Sequence, residues 1–299
     1  MKVVITGASG LIGSALARSL NGDGHEVVRL VRREARARDE AQWDPASRRL
    51  DAAVLDGADA VVNLAGAGIG DRRWSDGYKK LVLDSRVDAT TTIATAIAEL
   101  PEADRPRVLL SASAVGYYGD TGDEAVDESR QRGDGFLADV VERWEQAATP
   151  AADAGVRVVT VRSGVVLAAH GGALGKVLPL FKLGLGGRLG SGKQWMSWIA
   201  LPDEVAALRF LLDRDDVSGA VNLTAPEPVR NRDYTKAIAR AVHRPALATV
   251  PPVALRAALG GFADEGVLVS QRVLPGRLED AGFAFTYADV DAALAAIID

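Results

Sequence analysis

The chain has 299 residues, 48% hydrophobic and 25% charged, with a formal charge of −5, enough for one large α/β unit or a nucleotide-binding domain with a smaller companion. The acidic balance argues against a nucleic-acid or anionic-membrane surface, and the absence of cysteine rules out disulfides, thiol catalysis and thiolate metal sites. His25, His170 and His243 show no metal-ligand spacing, no apolar run of about 18 residues occurs, and Met1-Lys2 leads into a strand instead of a signal peptide. The expectation is a cytoplasmic, metal-free globular protein that works on a small molecule, without nucleic-acid or membrane partners.

The N-terminal half alternates apolar strand runs with amphipathic helices, the pattern of a parallel sheet covered on both faces. Strands are predicted at Val3–Ile5, Val27–Val31, Ala60–Leu64, Val108–Ser111 and Val156–Val161, with helices near Gly10–Asn21, Asp84–Glu99 and Gly135–Ala152. In the last helix Leu137, Val140, Val141, Trp144 and Ala148 share one stripe. After Leu167 the texture changes, and Gly171 to Gly192 reads as an ordered loop and helix arching over a site. A helix at Pro202–Asp213 and a strand at Val221–Thr224 are expected to return to the sheet, and Tyr287–Ile298 to form the last helix.

The fold class is therefore α/β: a doubly wound parallel Rossmann sheet with helices on both faces and a smaller C-terminal α+β domain. The boundaries are residues 1–168 for the nucleotide-binding domain, with 203–224 returning to it, and 169–202 plus 225–299 for the substrate-binding domain.

The strand Val3–Ile5 runs into Thr6-Gly7-Ala8-Ser9-Gly10-Leu11-Ile12-Gly13. A strand turning through glycines into a helix lets backbone close on a pyrophosphate, and the helix N-terminus offers free N–H groups and a positive dipole end. Gly7, Ser9, Gly10, Leu11, Ile12 and Gly13 are thus candidate cofactor contacts. About twenty residues on, where an acid would accept a ribose 2′-hydroxyl, stand Arg32 and Arg33. A guanidinium there attracts a 2′-phosphate, which points to NADP(H) over NAD(H); a solvated pair within the basic stretch Arg29–Arg38 is the alternative. Small residues just beyond the strand Ala60–Leu64 allow close approach to an adenine or ribose, which makes Leu64, Ala65 and Gly66 candidate contacts.

These residues resemble the extended short-chain dehydrogenase/reductase superfamily, and more narrowly its atypical epimerase-like family of bacteria and plastids, some members of which carry cell-division-inhibitor labels. The likeness runs nearly end to end, through Thr6–Gly13, Trp43-Asp44-Pro45, Asn63–Ala67, Ser85-Arg86-Val87, Ser111–Gly119, Trp144-Glu145, Arg162–Leu167, Gly171–Leu174, Gly184–Gly192, Gln194–Ile199 and Arg272–Pro275. The resemblance adds Arg86, Ser111 and Val165 to the cofactor candidates and implies an NADP(H)-type Rossmann fold with a C-terminal substrate domain. Relatives more often carry a histidine where Ala200 stands. Superfamily members often dimerise through two outer helices, which makes a homodimer through Asp84–Glu99 and Gly135–Ala152 an expectation by analogy.

In the superfamily a tyrosine is the acid/base, and a lysine four residues later lowers its pKa from about 10. No Tyr-x-x-x-Lys occurs in this chain, and no tyrosine lies between Tyr118 and Tyr234. By resemblance Ser113 matches the catalytic serine, and Tyr117 or Tyr118 stands close enough in sequence to replace the missing base. Arg162, Lys176, Gln194, Trp195 and Trp198 are candidate substrate contacts, a cationic and aromatic group suited to an acidic or phosphorylated ligand. Gly187–Gln194 imitates a P-loop, but Gln194 stands where magnesium needs a Ser or Thr. The carboxylate pairs Glu142/Glu145 and Asp215/Asp216 read as solvated surface.

Two functions follow. One is an NADP(H)-dependent epimerase or oxidoreductase acting on a small polar, nucleotide-linked substrate. The other is a non-catalytic NADP(H)-binding sensor or regulator.

Overall fold

The computed structural model describes residues 1–298. The first half runs β1 (Lys2–Thr6), α1 (Leu11–Gly22), β2 (Glu26–Val31), β3 (Glu40–Gln42), β4 (Ala60–Asn63), α2 (Asp76–Glu99), β5 (Val108–Ala114) and β6 (Ala125–Val126). It continues with α3 (Phe136–Gln146), α4 (Thr149–Asp153), β7 (Arg157–Ser163), β8 (Val165–Leu167), α5 (Gly172–Lys182) and β9 (Gly187–Leu189). Then come β10 (Trp195–Met196), β11 (Trp198–Ala200), α6 (Leu201–Asp213), β12 (Gly219–Leu223), β13 (Val229–Arg230) and α7 (Asn231–Ala241). The chain closes with β14 (Ala248–Val250), α8 (Pro252–Leu259), β15 (Arg272–Val273), α9 (Gly276–Asp280) and α10 (Val290–Ile298).

Seven parallel strands form one sheet in the order β12-β7-β5-β4-β1-β2-β3. The chain winds outward from β1 through β2 to β3, then returns past β1 to β4, so the switch in direction falls between β1 and β4. The strands are apolar on both faces because both faces are covered. Val3, Ile5, Val62, Leu110 and Val161 pack with Leu16 and Leu20 of α1 and Leu208 and Leu211 of α6. The alternate residues Val4, Val61 and Leu109 point the other way, against Ile93 and Ile97 of α2 and Ala151 of α4. The fold is an α/β doubly wound Rossmann sheet, and its crevice lies beyond the C-terminal ends of β1 and β4. A separate core, built on Leu174, Phe181, Trp198, Tyr234, Ile238 and Leu294, holds α5, α7 and α10 together as a smaller lobe.

Several elements differ from the sequence reading. Helix α2 starts at Asp76, not Asp84, because Ser75 caps it by accepting the Tyr78 N–H at 3.2 Å. The helix predicted over Gly135–Ala152 is two helices, since Pro150 lacks the N–H a continuing helix needs. It opens α4 instead, while the Gln146 carbonyl takes the Thr149 hydroxyl at 2.7 Å. The final helix begins at Val290, its N-terminus marked by Asp289 accepting the Ala292 N–H at 2.9 Å. Strand β3, absent from the reading, sits beside the arginine-rich stretch. Among the described residues no helix is long and apolar enough to cross a membrane, and no His/Cys/Asp/Glu cluster suits a metal ion.

Candidate active site

At the end of β1 the backbone leaves Thr6 through Gly7 at φ +64°, where a Cβ would lie 2.5 Å from the Leu64 carbonyl oxygen. A Cβ on Gly13 would lie 2.4 Å from the Gly7 oxygen, so glycine there lets the first turn of α1 rest on the loop. Gly10 is the extended N-cap of α1, and neither a capping side chain nor an acidic residue occupies that end. The first helical bond is Ser14 N–H to Gly10 O at 3.0 Å, so the N–H groups of Leu11, Ile12 and Gly13 have no acceptor within the helix. Ser9 and Gly10 are exposed at the rim. A bare positive helix end beside close-packed glycines fits a pyrophosphate.

A buried polar ladder fixes the opposite wall. Thr6 Oγ1 donates to Asn63 Oδ1 at 2.7 Å and accepts the N–H groups of Leu64 and Ala65 at 3.0 and 3.1 Å. Asn63 Nδ2 and Trp144 Nε1 both donate to Thr90 Oγ1, at 2.8 and 3.0 Å. The Leu64–Gly66 turn is thereby pinned against Gly7. A Cβ on Gly66 would meet Arg86 Cγ at 3.3 Å. Arg86 donates to the Ala67 and Val82 carbonyls, both at 3.0 Å, and lies over the Trp144 ring. Burial lowers its pKa to about 10, and among the described residues no carboxylate pairs with it, so this cation is unneutralised.

Arg32 and Arg33 have different surroundings. Arg33 forks onto Glu40 of β3 with two bonds of 2.7 Å and holds that carboxyl down to about 2. Arg32 is exposed and makes no ion pair among the described residues.

Three strands, helix α3 and the turn after β5 bring the chemistry-bearing side chains together. Ser113 on β5 and Arg162 on β7 are register partners, as are Arg162 and Asn222 on β12. Ser113 Oγ donates to Glu145 Oε1 at 2.6 Å. Arg162 grips both oxygens of Glu145, Nε to Oε1 at 2.7 Å and Nη2 to Oε2 at 2.8 Å. Its remaining nitrogen, Nη1, donates to the Tyr118 hydroxyl at 3.0 Å, which donates in turn to Asn222 Oδ1 at 2.8 Å. The Arg162 guanidinium lies over the Tyr117 ring at 3.4 Å from its centroid. Burial pushes Tyr118 up to about 12, while Arg162 and Asn222 oppose the shift. Tyr118 is thus a buried strut, and Tyr117 is half-buried on the cation.

Glu145 and Asn222 complete a network that the sequence reading left unassigned. Their separations from Arg162, 17 residues for Glu145 and one strand register for Asn222, carry no local signal.

The other candidates make no side-chain hydrogen bond to this network among the described residues. Lys176 bonds the Gly70 carbonyl and Asp71 Oδ1. Gln194 is buried and spends its amide on the carbonyls of Leu189 and Val267. Trp198 is sealed in the small lobe's core with its indole N–H on the Glu227 carbonyl. Trp195 is held between the guanidiniums of Arg230 and Arg272 and donates to Asp123. Ser111 is fully buried with an unpartnered hydroxyl, and Val165 leads β8 beside Ser197. In place of a tyrosine–lysine pair, α3 presents Leu137, Val140 and Val141 to the core.

A doubly wound sheet with a glycine cradle at its switch point defines a dinucleotide-binding Rossmann protein. Residues 3–224 match the model of the NAD dependent epimerase/dehydratase family, and residues 250–297 match a domain of unknown function, DUF1731. The chain belongs to that epimerase/dehydratase family, in the atypical epimerase-like branch of the extended short-chain dehydrogenases. It is 49% identical to Epimerase family protein MT2273 of Mycobacterium tuberculosis over 98% of this chain and 96% of that one. It is 36% identical to human Epimerase family protein SDR39U1, with both chains fully covered. The crystal structure of the human protein (isoform 2) with NADPH superposes with a TM-score of 0.92 at 35% identity, covering 100% of this chain and 99% of that one. MoeE5 in complex with UDP-glucuronic acid and NAD shares the fold, with a TM-score of 0.79 at 22% identity over 100% and 98% of the two chains.

Proposed function

We propose that this chain is an NADP(H)-dependent epimerase or oxidoreductase that acts on a hydroxyl or carbonyl of a small polar, nucleotide-linked substrate. The observation that carries the reading is the uncapped α1 N-terminus, closed in by Gly7, Gly13 and the pinned Leu64–Gly66 turn. In this reading the N–H groups of Leu11, Ile12 and Gly13 hold the pyrophosphate, with Arg86 as the unneutralised cation nearby. Arg32, with no acid to satisfy it, takes the 2′-phosphate, while Arg33 stays on Glu40. Leu64, Ala65 and Gly66 border the adenosine, and Ser111 and Val165 the nicotinamide end. The bound nicotinamide supplies hydride exchange with a substrate carbon. Ser113 bonds the reacting oxygen and Tyr117 stands beside it, its ring covered by a cation.

A second reading, a non-catalytic NADP(H)-binding sensor, draws on α3, where buried Leu137, Val140 and Val141 face the core on the turns that a tyrosine–lysine pair would occupy. Titration with NADPH and NADH, followed by tryptophan fluorescence in wild type and Arg32→Ala, tests the shared premise. Losing a guanidinium–phosphate contact costs about 1.5–3 kcal/mol, so NADPH affinity should fall at least about tenfold while NADH is unmoved. Equal loss for both cofactors removes Arg32 as selector, and no binding in wild type removes the premise.

A further inference from the structure

The helix that lacks a tyrosine–lysine pair instead carries Glu145 in its last turn, and that carboxylate is the hub of the site. Its Oε1 receives both the Ser113 hydroxyl and Arg162 Nε, and its Oε2 receives Arg162 Nη2. We propose that Glu145 is the positioning residue of this site, fixing Ser113 as a hydrogen-bond acceptor toward the ligand and, through Arg162, holding Tyr117 and Tyr118 in place. The inference rests on the reading above only in placing Ser113 against the ligand.

A serine has one proton to give and lone pairs to share. With that proton committed to an ionised carboxylate at 2.6 Å, Ser113 meets a ligand only by accepting. The matching ligand group brings its own proton, so the site takes a hydroxyl or N–H, as on a sugar, ahead of a bare carbonyl. The same carboxylate neutralises Arg162, whose third nitrogen and flat face serve Tyr118 and Tyr117. One carboxylate therefore sets the hydrogen-bond polarity of the serine and the charge felt by both phenols. The groups that face Tyr118 are Arg162 from β7, Asn222 from β12, Glu128 from the loop after β6 and the ring of Tyr117.

Glu145→Gln keeps the shape and removes the charge, leaving Arg162 to act on Tyr118 uncompensated. The readout is the phenolate absorbance of the full chain at pH 11, where wild type keeps Tyr118 protonated, its pKa pushed up to about 12. An unpaired cation at hydrogen-bond distance lowers a phenol by about one pH unit or more, so E145Q should gain about 0.4 of an ionised tyrosine or more at pH 11. The double variant with Tyr118→Phe should lose that gain. Glu145→Asp retains charge but retreats from Arg162, and it should fall between wild type and E145Q, which keeps the test decisive if E145Q does not fold. Unchanged phenolate absorbance in folded E145Q, or in E145D where that is the folded variant, would assign Glu145 to simple stability and overturn the proposal. Far-UV circular dichroism, measured in parallel, establishes which variants are folded. Loss of NADPH binding in wild type strikes the functional reading and leaves the tyrosine result standing.

Discussion

Lys176 Nζ of α5 donates to Asp71 Oδ1 at 2.8 Å and to the Gly70 carbonyl at 3.0 Å, tying the small lobe to the loop that follows β4. Just upstream of Lys176, Gly171 and Gly172 are packed so closely that a Cβ on either would lie 3.3 Å from the Leu11 side chain of the glycine cradle. The tie therefore joins two segments that flank the candidate cofactor site. Both partners are more than half exposed, so its contribution is small and screened by salt. Lys176→Ala should speed NADPH dissociation about two- to fivefold at low ionic strength, with the difference shrinking in 0.5 M salt. Stopped-flow displacement by excess NADP+ measures it, and equal rates at low salt would show that the ion pair does not gate exchange.

Glu204 supplies a pH dependence. It is 1% exposed, accepts the Ser163 hydroxyl at 2.6 Å through Oε1, and leaves Oε2 without a partner. Burial pushes its pKa from 4.5 up to about 7, only partly opposed by Ser163. The folded chain thus keeps a proton that the unfolded chain releases. Stability is full below pH 4.5, declines as pH rises toward 7, and levels off above that. Glu204→Gln removes the charge without changing the shape. Between pH 5 and pH 8 its unfolding free energy relative to wild type should rise by about 2–3 kcal/mol. Urea unfolding of both proteins at the two pH values decides the point, and a pH-independent difference would refute the assignment.

What was legible in the chain was local. The continuous apolar runs Val3–Ile5 and Val108–Leu110 and the glycine spacing after β1 are short-range patterns with direct physical causes. Arg32 and Arg33 are adjacent in sequence, yet only the fold separates them, by bringing Glu40 of β3 onto Arg33. Glu145 was read as a solvated carboxylate because its neighbours on α3, Glu142 and Gln146, are those of an ordinary surface stripe. Its meaning comes from Ser113 and Arg162, which reach it through strand pairing across 32 and 17 residues. Trp198, a candidate substrate contact from its sequence, lies inside the small lobe's core. An indole looks the same in a sequence whether it faces a ligand or a neighbouring helix.

Two glycines of the cradle should respond differently to alanine. Gly7 has φ +64° and would place a Cβ 2.5 Å from the Leu64 oxygen, so Gly7→Ala is strained in both backbone and space. It should cost about 1–3 kcal/mol and abolish NADPH binding. Gly10 has φ −77°, and its Cβ would lie 3.2 Å from the Gly7 oxygen. Gly10→Ala should therefore melt within a few degrees of wild type while NADPH affinity falls at least about tenfold, since the added methyl sits at the uncapped helix end. Thermal melts and cofactor titrations of the two variants separate the effects. Undiminished NADPH affinity in Gly10→Ala would place the pyrophosphate elsewhere.

Thr90 tests the polar ladder behind the cofactor wall. It is fully buried and accepts from both Asn63 Nδ2 and Trp144 Nε1. Thr90→Val keeps the volume and leaves two buried donors without an acceptor. Each such orphan costs about 1–3 kcal/mol, so the variant should lose roughly 2–6 kcal/mol. The effect should extend past stability, because Asn63 is bonded to Thr6, and Thr6 holds the N–H groups of Leu64 and Ala65. With Asn63 freed on one side, the Leu64–Gly66 turn should exchange its amide hydrogens faster than in wild type, while the distant α7 core around Tyr234 and Ile238 should differ only through the global loss. Hydrogen exchange measured on both regions distinguishes the two contributions. A uniform acceleration over the whole chain would mean that Thr90 stabilises the fold without shaping the cofactor wall.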